Sequence, residues 1–107
     1  MAGGNMLVVA GTLTVAPAER AAFIEQRADL MRRARSEPGC LAYAISADPI
    51  DPDTIRLFEC WASQADLDAH VAALRAARAQ PQPEPALAPL TTSIRVYPIA
   101  DEGPRPL

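Results

Sequence analysis

One histidine stands out among the residues that could carry chemistry. His70 is the only histidine in the chain, and histidine is the side chain that most readily takes up and releases a proton near neutral pH. On a helical wheel it lies about 60° from Leu67, at the edge of an apolar stripe and toward the small Ala73 and Ala77, so it can reach into a cavity. The sequence therefore offers His70 as a general base that can take a proton from a bound ligand. The alternative is a structural histidine at a helix edge.

A second group of candidates lies on one predicted strand. Leu57, Glu59 and Trp61 alternate along it and point to one face of a sheet. Tyr43 joins that face if the hairpin pairs residues whose numbers have an even sum. These side chains could line one pocket, although Trp61 could also be plain core. Because a buried carboxylate must be paired or protonated, we expect Glu59 to form an ion pair or a dimer contact rather than to act as a base.

Arg27 and the two cysteines complete the reactive residues. Arg27 falls in the middle of the apolar face of a predicted helix, between Ala34 and Met31, where a charge must extend to solvent or bind an anion. Arg27 is therefore a candidate anion-binding residue. Cys40 and Cys60 are too few for a disulfide framework, and one histidine cannot complete a metal cluster with them. We expect two reduced thiols and no metal site.

Composition narrows the functional classes. The chain has 107 residues, 50% of them hydrophobic, which predicts one domain with a modest core. Ten basic residues, all arginine, stand against 13 acidic ones, and this balance disfavours nucleic acid as a partner. No stretch is apolar for long enough to span a membrane, and no basic residue precedes the apolar run 6–15, so we expect a cytoplasmic protein. Glycine-rich nucleotide motifs and a nucleophile elbow are missing from the sequence, which suggests no standard cofactor.

The elements that position these residues alternate along the chain. Residue types predict a strand over 6–15, a helix over 18–36, strands over 40–47 and 54–61 joined by a Pro- and Asp-rich turn, a helix from the Ser63 cap to about 79, and a strand over about 92–99. Three prolines within 80–85 predict a stiff, extended segment of a Pro-rich connector over 80–90. We expect a single domain over 1–107 with an ordered core over about 6–99 and a frayed tail over 100–107.

This βαββαβ order predicts an α+β, ferredoxin-like fold, in which two helices cover one face of a four-stranded antiparallel sheet. The runs 7–10 and 41–45 are apolar on both faces of their strands, while the helices can cover only one. We therefore expect a homodimer in which two sheets pack into an α+β barrel. The alternative is that small alanines on the second face tolerate exposure to water.

Three motifs resemble the antibiotic biosynthesis monooxygenase family of dimeric α+β barrels. They are Glu37-Pro-Gly-Cys-Leu-Ala-Tyr43, Glu59-Cys-Trp-Ala-Ser63 and Leu67-Asp-Ala-His70, and they occur together at the family's spacing. The resemblance covers about residues 8–74 and the last strand. It implies oxidation of a quinol or phenol by O2 directly, with no flavin, haem or metal cofactor.

The resemblance also assigns positions within the site. Trp61 holds the place of a pocket tryptophan in polyketide-tailoring members, but Leu57 and Leu67 stand where those members have an asparagine and a tyrosine. Gly11, His70 and Gln80 replace the asparagine, tryptophan and histidine of haem-degrading members, which disfavours haem degradation. We therefore expect a small quinol or phenol substrate and His70 as the catalytic base. The predicted substrate-binding residues are Trp61, Tyr43, Leu57, Leu67, Gly11, Arg27 and Glu59.

Two other kinds of function are compatible with the same sequence. The first is a non-catalytic dimeric barrel that binds a small aromatic metabolite or stabilises a partner. The second is an isomerase or cyclase, which needs a base but no O2.

Overall fold

The computed structural model describes residues 5–82 and 85–107, and there it has an α+β, ferredoxin-like fold. One antiparallel sheet has the spatial order β2-β3-β1-β4, and its strands are β1 (Leu7–Thr14), β2 (Cys40–Ala47), β3 (Thr54–Trp61) and β4 (Thr91–Pro98). The helices are α1 (Arg20–Glu25), preceded by a 3-10 turn over Pro17–Glu19, α2 (Ala28–Arg35) and α3 (Gln64–Arg78). None of these helices is long and apolar enough to cross a membrane. The predicted fold class and the predicted sequence of strands along the chain are confirmed, whereas part of the Pro-rich connector, residues 83–84, lies outside the described residues.

The prediction of one continuous helix over 18–36 is wrong, because the helix breaks between α1 and α2. The Arg27 backbone N–H donates to the Ile24 carbonyl (3.0 Å) instead of the Phe23 carbonyl, and the Arg27 side chain donates to the Phe23 carbonyl (3.0 Å). Gln26 and Arg27 also hold the backbone of Leu87, which donates to the Gln26 side chain (2.9 Å) and accepts from Arg27 (2.7 Å). The break thus serves a contact with the distant connector, which a local pattern cannot reveal.

The hydrophobic core lies between the helices and the inner face of the sheet. Alternate residues of β1 and β3 point to this face, and the Phe23, Ile55 and Trp61 side chains are almost wholly buried there. Tyr43 pairs with Glu59 across the β2–β3 hairpin, which confirms an even register and places both side chains on the inner face. An irregularity between Cys40 and Ala42 interrupts the register only at the start of β2.

The outer face of the sheet and both sides of β4 are open to solvent. All eight residues of β4 are exposed. Its register with β1 places Ile94 and Val96 on the inner face and Tyr97 on the outer face, and Phe58 of β3 is also on the outer face. The helices therefore cover the inner sides of β1, β2 and β3 but leave β4 uncovered.

Candidate functional site

The centre of the candidate site is His70 on α3. The helix begins after Ser63, whose hydroxyl accepts the Asp66 backbone N–H as predicted. His70 lies one helical turn beyond Asp66. The His70 side chain is buried, and its Nδ1 lies 2.6 Å from Oε1 of Glu37. Since a carboxylate only accepts hydrogen bonds, Nδ1 carries a proton, and in the neutral imidazole Nε2 is then the nitrogen with the lone pair. Nε2 is buried and has no hydrogen-bond partner among the described residues.

Two aromatic rings fix the orientation of the imidazole. The ring centroids of Trp61 and His70 are 4.7 Å apart at an interplanar angle of 32°. Tyr43 meets His70 edge to face, with the centroids 5.3 Å apart. Together with the Glu37 hydrogen bond, these contacts allow the imidazole one orientation, in which Nε2 has no partner among the described residues.

Glu59 is buried beside these rings, and its hydrogen bond is not an ion pair. The Trp61 Nε1–H donates to Oε1 of Glu59 over 2.9 Å, so the partner among the described residues is a neutral indole and not a cation. The alternative prediction for Glu59, a dimer contact, stays a prediction. Burial raises the pKa of Glu59, and the indole hydrogen bond only partly opposes that rise. Burial, assisted by the charge of Glu59, also raises the pKa of the Tyr43 hydroxyl. The site therefore contains two groups that hold their protons more tightly than usual.

Glu37 is the member of this cluster that the sequence analysis missed. It lies in the turn between α2 and β2, where the Glu-Pro-Gly motif is an ordinary helix stop. Its partner His70 is 33 residues away, so spacing along the chain could not reveal the contact. The signal that the sequence did contain is that Glu37 and His70 each belong to one of the three family-like motifs.

The remaining predicted residues lie around this cluster or apart from it. Leu67 is buried in the core on α3, and Leu57 is half-buried next to Gly11 in the sheet. A side chain at Gly11 would overlap the carbonyl oxygen of Ser93, so the close approach of β1 and β4 requires glycine there. Roles for Leu57, Leu67 and Gly11 in binding stay predictions.

Arg27 lies at the helix break and is engaged by the chain itself. Its guanidinium carbon is 3.4 Å from the centroid of the Phe23 ring, and its N–H groups bind the carbonyls of Phe23 and Leu87. Burial lowers the pKa of Arg27, and the nearby charge of Arg78 lowers it further. Two backbone carbonyls therefore accept hydrogen bonds from the guanidinium that was predicted to bind an anion. Anion binding by Arg27 stays a prediction.

Taken together, the cluster provides an oriented imidazole base among buried aromatic rings. A groove of about 340 Å³ runs along the edge strand β2, and Tyr43 belongs both to its wall and to the His70 cluster. The described residues include no group of three or more His, Cys, Asp or Glu side chains that could hold a metal ion. The imidazole can act as a base, and the Tyr43 hydroxyl can donate a hydrogen bond.

Comparison with known proteins identifies the family. Residues 6–82 match the sequence model of the antibiotic biosynthesis monooxygenase family, so the chain belongs to that family. An uncharacterized protein from Synechocystis is 36% identical over 64 residues, which cover 60% of this chain and 44% of that protein. The chain thus spans less than half the length of this curated relative.

Solved structures agree on the fold. A Caulobacter crescentus protein named for the same family has a TM-score of 0.70 and 27% identity, covering 92% of each chain. A Pseudomonas aeruginosa protein has a TM-score of 0.71 and 25% identity, covering 94% of this chain and 99% of its own. A heme-degrader from Mycobacterium tuberculosis, solved with two hemes in its active site, has a TM-score of 0.69, but its 15% identity over 87% of this chain and 94% of its own shows the fold alone.

Proposed function

We propose that this protein is a monooxygenase that oxidises a small quinol or phenol with O2 and no bound cofactor. The observation that carries the proposal is the buried Nε2 of His70, which has no partner among the described residues while Nδ1 is bound to Glu37. A buried polar atom without a hydrogen bond is costly to the fold, so its retention suits a ligand that supplies the missing hydrogen. Membership of a monooxygenase family supports the same conclusion.

The reaction that we propose balances without a further reactant. His70 Nε2 takes the phenolic proton, and a ring carbon of the resulting phenolate forms a C–O bond with O2. The peroxide takes the proton from the imidazolium, and Nε2 then removes the hydrogen of that ring carbon. The O–O bond then breaks, and the departing hydroxide takes this proton from the imidazolium and leaves as water. The product is a quinone with one atom from O2, and all four electrons that reduce O2 come from the substrate.

Each residue of the cluster has a role in this scheme. The Glu37 carboxylate, 2.6 Å from Nδ1, stabilises the imidazolium that forms, and the stacked Trp61 ring adds a cation–π contribution. Because the raised pKa of Tyr43 keeps its hydroxyl protonated, Tyr43 can donate a hydrogen bond to the phenolate. Glu59 holds Trp61 in place through the indole N–H. The proposed substrate pocket is completed by Leu57, Leu67, Gly11 and Arg27.

The proposal includes a homodimer. Phe58 and Tyr97 on the outer face of the sheet are 45% and 49% exposed, and Val8 and Ala10 lie on the same face. A contiguous apolar surface of this kind usually meets another protein surface. Face-to-face packing of two such sheets would bury it and give particles of twice 11.4 kDa.

An O2-independent isomerase or cyclase is the second candidate. It is favoured by the combination of a base, His70, with two buried acids whose pKa values are raised, Tyr43 and Glu59. Such a set can move a proton from one substrate atom to another.

Oxygen uptake with a panel of hydroquinones and phenols tests the proposal. We expect one O2 consumed for each substrate, and one labelled atom in the quinone when the gas is ¹⁸O2. Autoxidation without protein and the His70→Ala protein are the controls. Substrate turnover with no O2 consumed would select the isomerase, and uptake no faster than with His70→Ala across the panel would count against both the base and the oxygenase.

A further inference from the structure

One face of α3 contacts the α2–β2 turn at two points. Asp66 and His70 are four residues apart and therefore lie on the same side of the helix. The Asp66 side chain packs directly on Gly39, and His70 binds Glu37 of the same turn. Helix α3 thus contacts the α2–β2 turn at two positions, through Asp66 and, four residues later, through His70.

The first of these two contacts is rigid on both sides. Gly39 has a left-handed backbone with φ of 78°, and a Cβ at this position would overlap the Asp66 carboxylate, so only glycine fits. The Gly39 carbonyl accepts the Ala62 N–H over 2.8 Å. The Asp66 carboxylate accepts the Ser63 hydroxyl over 2.9 Å, and this hydroxyl also caps the helix. Neither partner can shift without breaking a hydrogen bond.

We propose that Asp66, through its contact with Gly39, is a positioning residue that holds the Glu37 carboxylate at Nδ1 of His70. Glu37 is two residues before Gly39, and the Cys40 N–H donates to the Glu37 carbonyl over 3.1 Å, so the turn moves as a unit. A displaced turn would release Nδ1, and the imidazole proton would then distribute between both ring nitrogens. The effect of Asp66 on turnover rests on the proposed function, whereas its effect on the imidazole does not.

The single histidine makes this proposal directly measurable. In ¹⁵N NMR of the full chain, the two ring nitrogens of His70 are the only imidazole signals, and their shifts distinguish a protonated from a bare nitrogen. We expect one tautomer in the native protein, with the proton on Nδ1. Asp66→Ala is expected to give averaged nitrogen shifts and roughly tenfold slower oxygen uptake, the size typical of a lost orienting contact.

Two variants separate positioning from simple helix stability. Asp66→Asn keeps the size of the side chain against Gly39 and should restore the single tautomer. Asp68→Ala removes an exposed carboxylate of the same helix whose partner is Gln64, and it should leave both readouts unchanged. Gly39→Ala should resemble Asp66→Ala if it folds, but the Asp66 pair decides the question without it.

The outcomes distinguish this proposal from the proposed function. A single native tautomer in Asp66→Ala, with only a lower Tm, would reduce Asp66 to a helix-capping residue and overturn the proposal. Averaged shifts in Asp66→Ala, rescued by Asp66→Asn, would support positioning even if native protein consumed no O2. In that event the oxygenase would fail and the positioning residue would stand.

Discussion

The His70 cluster and strand β4 are both at the inner face of one sheet, yet they differ in how completely the chain encloses them. Trp61 is fully buried and His70 is 3% exposed, whereas Ile94 and Val96 on the same face of β4 are 40% and 49% exposed. The cluster is therefore fixed by contacts within one chain, and β4 lacks a covering layer. Changes in the cluster should alter chemistry, and changes on the open surfaces should alter assembly.

The largest expected effect comes from removing the base. His70→Ala should lower turnover of a working quinol by roughly 10²-fold or more, because the phenolic proton then has no acceptor. The mass in solution should not change, since His70 is on the enclosed side of the sheet. Turnover and Tm measured on one preparation test this, with substrates already ionised at the assay pH as the control. Unchanged turnover per folded molecule with a lower Tm would make His70 a structural residue.

The next effect concerns the open outer face. Phe58→Asp should weaken the proposed dimer by more than tenfold, because a charge would be buried at the centre of an apolar contact. Light scattering over a concentration series should show the shift toward 11.4 kDa. Arg32→Ala, at an exposed helix position paired with Asp29, is the control. A mass that is already monomeric in the native protein would remove the barrel from the proposal.

The smallest effect is a pH dependence of stability inside the cluster. Burial raises the pKa of Glu59 above its usual 4.5, so folding favours the protonated acid, and this stability is lost as pH rises through the folded-state value. Tm of the native protein minus Tm of Glu59→Gln should therefore fall as pH increases from about 4.5. Asp48, whose pKa is held at about 2 by hydrogen bonds from the Asp51 backbone, the Arg56 side chain and the Ile50 backbone, titrates below this window in both proteins. A difference that does not vary with pH would place Glu59 in a solvated environment.

The strands could be predicted closely because their signals are local. The bounds of β2 and β3 follow from β-branched and aromatic runs between Pro, Gly and Asp turns, and the Ser63 cap marks the start of α3. The even hairpin register then brings Tyr43 to Glu59. Helix continuity over 18–36 was not predictable, since the break depends on Leu87, 60 residues from Arg27.

The candidate site could be predicted in its types of residue but not in its hydrogen bonds. Periodicity placed Tyr43 and Trp61 on one face of the hairpin, as found, whereas the contact of both rings with His70 depends on how α3 packs on the sheet. Glu37 and the indole partner of Glu59 were missed because both depend on side chains that meet only after the sheet and α3 have packed. Periodicity gives the face on which a residue lies, whereas hydrogen bonds depend on tertiary distances of a few tenths of an ångström.

The strand order also has a consequence for how the chain is made. As it leaves the ribosome, β1 can pair with β3 once residue 61 has emerged, but its other edge has no partner until β4 follows some thirty residues later. During that interval β1 presents unpaired backbone groups and an apolar surface to neighbouring nascent chains. Synonymous codons that slow translation between β3 and β4 should therefore lower the yield of folded protein more than the same codons placed before β3.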